Sequence, residues 1–181
     1  ENKLRKMKSF TGNKNLKVFF RDSYSFKRML LNNKDKLHYV QNKLIEINKM
    51  EVEVAVSEGK LDELLNDIIL YSIEQGVSDI HIEPYNDVLG FRLRLDGILV
   101  YLGSLKFEYN ESVFNLINGR TKDNNIDRAK PLDGQFTIEH NIFGSVNLRW
   151  GENKTIYGSH IVIRILNSDV QGLTLDNINY K

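Results

Sequence analysis

The chain has 181 residues, of which 41% are hydrophobic and 27% charged, and its formal net charge is +1. That is enough apolar side chain for one ordinary domain plus a partial one, or for two small ones. The absence of cysteine excludes disulfides, thiol catalysis and cysteine-based zinc or iron–sulfur sites, and the longest apolar runs fall far short of the roughly 20 residues of a membrane-spanning helix.

The near-neutral total hides an asymmetry. Residues 1–50 hold ten Lys and three Arg against four acids, whereas residues 51–181 hold 12 bases against 20 acids. Such a break suggests two units with different surroundings. The basic unit fits nucleic acid, an anionic membrane surface or an acidic partner, and equally a solvated, lysine-rich helical segment. The start, Glu1-Asn2-Lys3-Leu4-Arg5, is charged and lacks the apolar stretch of a signal peptide. A soluble cytoplasmic protein is expected, and Glu1 in place of an initiator implies that the chain begins inside a longer one.

In chain order, residues 1–15 read as a basic, frayed lead. Leu16-Lys17-Val18-Phe19-Phe20 reads as a short strand. Asp22 or Ser23 can cap a helix carrying Phe26, Met29 and Leu30 at three- and four-residue spacing. A second helix is expected from about Asp35 to Lys49, with Leu37, Val40, Leu44 and Ile47 on one face. These 50 residues are taken as a basic, mostly helical unit. Residues 51–59 read as an edge strand or a linker. Residues 60–75 give the clearest helix, with a stripe of Leu61, Leu64, Leu65, Ile68, Ile69 and Ile73 and with Gly76 as a left-handed C-cap.

Two strands of half-buried character follow. In the first, Asp79, His81 and Glu83 alternate with Ile80 and Ile82. In the second, Phe91, Leu93 and Leu95 take one face and Arg92 and Arg94 the other. Period two of this kind means an antiparallel sheet with one wet face, and Asp96-Gly97 suits a two-residue hairpin. Further strands are expected at residues 135–139, 142–149 and 160–166, with a turn at His140-Asn141. Trp150 is expected to end a strand as a packing anchor. The aromatics Phe91, Phe136 and Phe143 fall on apolar-face positions.

Little of this carries catalysis. A phosphate-cradling loop needs G-x-x-x-x-G-K-[ST]. The one Gly-Lys pair, Gly59-Lys60, is followed by Leu61 and has Val54 where the first glycine belongs. The four histidines form neither H-x-x-x-H nor H-E-x-x-H. His81 and Glu83 put two metal-ligand types on one strand face, but no third is evident, so no metal site is assigned. No nucleophile elbow is present. What remains is electrostatic: Arg92 and Arg94 can bind an anion as a fork, or form an ordinary solvated strand face.

The motifs Ser78-Asp79-Ile80-His81-Ile82-Glu83-Pro84, then Arg92-Leu93-Arg94-Leu95-Asp96-Gly97, then Pro131-Leu132-Asp133-Gly134, then Arg164-Ile165-Leu166, occur in an order that resembles the second N-terminal domain of the PilB/GspE family. These are the ATPases of type IV pilus assembly and type II secretion. The resemblance covers about residues 60–181, and its end, Leu173 to Ile178, looks like the stretch just before the family's ATPase domain. The chain departs from the pattern at Gln135, where the family has arginine, and at Lys154 and Ser159, which replace a proline and a glutamate. The family's D-I-A-E-R-R stretch falls on residues 124–129, where Asp127 and Arg128 are the charged pair.

The resemblance implies an α+β, PAS-like domain, an antiparallel sheet with packed helices, over residues 60–181, preceded by the small basic helical segment 1–50 as a remnant of the family's first N-terminal domain and linker. It implies ATP and magnesium in a full-length hexameric parent, with no nucleotide bound tightly, and no ATP hydrolysed, by this portion. Arg92, Arg94 and Lys106 would contact ATP phosphates across a cleft to the ATPase domain. Implied partners are that ATPase domain, neighbouring subunits and an inner-membrane platform protein, at the inner face of the cell membrane. The chain alone is then expected to be a monomer. The rival reading is a nucleic-acid-binding or adaptor module with a basic helical arm. Aromatics on the apolar face argue against base stacking, so no nucleic acid is expected.

Overall fold

A computed structural model describes residues 34–121 and 132–166. The expected strand at 16–20, the helix around Phe26, the pair Asp127 and Arg128, Pro131 and the stretch 173–178 lie outside the described residues.

The first helix, α1 (Lys34–Ile47), buries Leu37, Val40, Leu44 and Ile47, the stripe that the spacing of three and four residues demands. Residues 51–59 form neither strand nor extended linker. Val52–Ser57 is a short helix, α2, seated on the buried Ala55. The alternating valines of Glu51-Val52-Glu53-Val54-Ala55-Val56 suggest a strand, but Val54 and Val56 face outward, 42% and 40% exposed. Packing of Ala55 overrides the local β preference. The third helix, α3 (Lys60–Gln75), carries Asp62 and Glu63 in its first turn, where the helix dipole favours them. It ends at Gly76 in the left-handed region (φ 69°) and buries Leu61, Leu64, Leu65, Ile68, Ile69 and Ile73. No described helix is long and apolar enough to cross a membrane.

The sheet has six strands in the order β3-β2-β1-β6-β5-β4, antiparallel throughout. The strands are β1 (Asp79–Tyr85), β2 (Val88–Leu95), β3 (Ile98–Lys106), β4 (Asp133–His140), β5 (Gly144–Thr155) and β6 (Gly158–Leu166). The turn between β2 and β3 has Asp96 at φ 51° and Gly97 at φ 77°, the two positive angles that a type I′ hairpin requires. A single 3-10 turn (Phe107–Tyr109) leads from β3 into helix α4 (Asn110–Gly119). Neither β3 nor α4 is among the elements expected from the sequence. The α+β class, an antiparallel sheet with packed helices and a helical segment before it, is as expected.

One face of the sheet meets the helices. Ile80, Ile82, Phe91, Leu93, Leu95, Leu148, Trp150, Ile161 and Ile163 are each at most 1% exposed and belong to one core with the apolar stripes of α1 and α3. Trp150 does not end a strand, since β5 continues to Thr155. It is a packing anchor nonetheless: the ring meets Phe114 edge-on at 6.0 Å and Nε1–H donates to Thr121 Oγ1 at 2.7 Å. Phe91 and Phe136 are buried as expected, but Phe143 is not. It lies in the β4–β5 turn, 50% exposed.

Candidate functional site

The other face of the sheet is polar, and its centre is the β1 stripe Asp79, His81 and Glu83. Strand register decides what flanks it. Pairing with β2 sets Asp79 across from Arg94 and His81 across from Arg92. Pairing with β6 sets Asp79 across from Arg164 and His81 across from Val162. One step further along β6 stands His160, beside Glu83. Because side chains alternate faces with period two, all of these point the same way.

Asp79 is held between two guanidinium groups. Arg164 Nε lies 2.8 Å from Oδ1, and Arg94 Nε lies 3.4 Å from Oδ2. The Ser78 hydroxyl donates a further hydrogen bond to Oδ2 at 2.8 Å. Burial alone would push this carboxyl up, but the bonds from Arg164 and Ser78 outweigh it and hold Asp79 below the ordinary carboxylate range. Glu83 obeys the same logic with one arginine. Arg92 Nη2 donates to Oε1, and the Tyr85 hydroxyl donates to Oε2 at 3.0 Å. Burial opposes ionisation, and those two bonds prevail, so the Glu83 carboxyl also sits below its usual range. The bond to Glu83 in turn raises the pKa of Arg92.

Between these carboxylates, His81 is pushed below the ordinary imidazole range, first by burial and then by Arg94 and His160, against the attraction of Glu83 and Asp79. The His81 and His160 rings stack, with centroids 5.9 Å apart. Glu83 Oε1 lies 3.9 Å from His81 Nδ1 and 3.6 Å from His160 Nε2. His81, Glu83 and His160 therefore offer three ligand atoms within 4.8 Å of one another. The third ligand that the sequence did not show is thus present in space. His160 lies far along the chain from His81, and only the β1–β6 pairing joins them.

Of the arginines and the lysine expected to act together, the structure joins two. Arg92 and Arg94 share the polar face of β2, with side chains 34% and 35% exposed. Lys106 is on the same face, since it pairs with Val88 while Arg92 pairs with Tyr101. It is four residues further along the sheet, about 13 Å away by strand geometry, at the end of β3. Its backbone N–H donates to Asn48 Oδ1 at 2.7 Å. The two arginines fit a contact with an anion brought to the sheet, but each is already matched by a carboxylate. They do not by themselves make a nucleotide site.

The chain is similar to proteins of pilus assembly and secretion. It is 27% identical over 117 residues to the type IV pilus assembly ATPase PilB of Pseudomonas aeruginosa, a match covering 65% of this chain and 21% of that protein. It is 32% identical over 114 residues to the type II secretion system protein E of Xanthomonas campestris pv. campestris, covering 62% and 20%. It is 32% identical over 165 residues to the protein transport protein HofB homolog of Escherichia coli, covering 80% and 34%. The chain thus spans between a fifth and a third of the length of these relatives. A model of the family described as "Type II/IV secretion system protein" matches residues 54–181, which takes in α3, the whole sheet and the charged stripe, and this chain belongs to that family.

Proposed function

We propose that this chain is a non-catalytic, N-terminal portion of a hexameric pilus-assembly or secretion ATPase, and that its β2 arginines reach the nucleotide phosphates from outside the ATPase domain. The observation that carries the reading is the placement of Arg92 and Arg94 side by side on the open face of β2, each about a third exposed. Two relatives are named ATPases of pilus assembly or components of secretion. ATP with magnesium supplies the phosphoryl chemistry in the complete protein. This chain contributes positive charge.

Arg92 is the better candidate. It pairs with one carboxylate, Glu83, and a phosphate group approaching the sheet competes with that partner for the guanidinium. Arg94 is tied to Asp79 and also donates to the Gly97 carbonyl at 3.3 Å, so part of its role is to hold the β2–β3 turn. Lys106 is too far along the sheet to share one phosphate with Arg92, and its contact would be a separate one. An arginine that meets phosphate only when two domains close acts on the transition state more than on the resting complex. Relay of motion follows if α3 and the sheet, which share one core, move as a body. The partners are then the protein's own ATPase domain, neighbouring subunits and an inner-membrane platform protein, with the assembly at the cytoplasmic face of the membrane.

The test is Arg92→Ala in the complete protein. Turnover should fall far more than nucleotide affinity, on the order of 10³-fold by analogy with arginines that reach in from another domain. Full ATPase activity in both Arg92→Ala and Arg94→Ala variants would remove the phosphate contact and leave a solvated strand face.

A further inference from the structure

We infer that His81, Glu83 and His160 form a binding site for a divalent transition-metal cation of the zinc, cobalt or nickel class. The site stands independently of the nucleotide reading, because it needs only β1 and β6. Two imidazoles and one carboxylate from adjacent strands face the same way, with ligand atoms within 4.8 Å of one another. In a tetrahedral zinc site with bonds near 2.1 Å, neighbouring ligand atoms lie roughly 3.3 Å apart. The distances from Glu83 Oε1, 3.9 Å to His81 Nδ1 and 3.6 Å to His160 Nε2, are close to that spacing. The widest pair of ligand atoms is within 4.8 Å, so a movement of about 1.5 Å or less completes it, within the reach of side-chain torsions.

A second observation concerns the His160 ring. Nε2 of His160, the ring atom that faces Glu83, is shielded from solvent and has no hydrogen-bond partner among the described residues. Buried polar atoms are nearly always paired, and an unpaired ring nitrogen calls for an explanation such as an ion. The donor set also selects the cation. Magnesium and calcium take six or more oxygen ligands, and this site offers one carboxylate. Imidazole suits zinc, cobalt and nickel. Glu83 Oε1 is also the atom that Arg92 holds, so cation and guanidinium compete for it.

The experiment titrates the 181-residue chain, free of any polyhistidine tag, with Co²⁺ followed by visible absorption and with Zn²⁺ followed by calorimetry. One equivalent should bind, with a dissociation constant at or below about 10 μM. His81→Ala and His160→Ala should each weaken binding about tenfold or more, whereas His38→Ala should leave it unchanged. Arg92→Ala should tighten binding about threefold, because it removes a competing positive charge. Thermal melts accompany each variant, and His160→Gln replaces His160→Ala if the alanine form melts early. No stoichiometric binding, equal binding of Mg²⁺, unchanged affinity in the histidine variants, or weaker binding in Arg92→Ala would each overturn the site.

Discussion

Asp79 is held between two guanidinium groups on the wet face of the sheet, and it shows how far a single residue can be read from sequence. Its alternation with Ile80 already places it on the polar face, and Arg94 is a near neighbour through the hairpin, so their pairing is foreseeable. Arg164 is not, because it arrives from the last strand through β1–β6 pairing. The consequence is graded. Removing Arg94 leaves Asp79 with Arg164, so Arg94→Ala should cost only about 0.5–1 kcal/mol, the scale of a partly exposed pair. Removing Asp79, itself 5% exposed, leaves two guanidinium groups facing each other. Asp79→Ala should therefore lower the melting temperature clearly more than Arg94→Ala does. Equal shifts in the two variants would mean that Arg164 contributes nothing to the pairing.

At the scale of elements, legibility follows the strength of local pattern. Helix α3 was readable to its last residue because six large aliphatics share one stripe and Gly76 ends it. Helix α4 was not, because its sequence, Asn110-Glu-Ser-Val-Phe-Asn-Leu-Ile-Asn-Gly119, is rich in poor helix formers. Burial of Val113, Phe114 and Ile117 holds it instead. Leu65 on α3 is 2% exposed, and Leu65→Ala should cost about 2–5 kcal/mol in chemical denaturation. The glycine of the Leu132-Asp133-Gly134 motif has a packing cause. A Cβ at Gly134 would lie 2.5 Å from Thr121 Cγ2 and 2.8 Å from Trp150 Nε1. Gly134→Ala should destabilise by about 1–3 kcal/mol as an overpacked site, and the Trp150 fluorescence should shift. An unaltered melt and spectrum would show that Thr121 and Trp150 yield easily.

At the scale of the whole molecule, a chain proposed to be one portion of a larger ring has simple expected properties on its own. It should be a monomer in dilute solution by light scattering, because the contacts proposed to close the ring lie with an ATPase domain. It should hydrolyse no ATP above background and bind it more weakly than about 1 μM. A concentration-independent hexamer, or saturable binding at or below that value, would mean that the chain carries an interface or a site of its own. The division expected at residue 50 rests on the break in charge and on the resemblance. The helix just before it, α1, packs into the same core as the sheet, and charge patterning could not have indicated that.

The order β3-β2-β1-β6-β5-β4 makes the sheet two meanders, each contiguous in sequence, stitched together along a single seam. The residue pairs on that seam run from Asp79 with Arg164 to Ile82 with Ile161, and the Ile165 N–H donates to the Ser78 carbonyl at its end. Every rung elsewhere joins neighbours in the chain. The seam alone closes a loop of some eighty residues, and such closure is the slow, entropically costly step in assembling a sheet. Each half can thus form on its own clock, and the fold is complete only when the seam zips. The amides of Ile80 and Ile163 should then exchange with solvent only through global opening. Anything that grips β1 and β6 together acts as a clasp on the last event of folding.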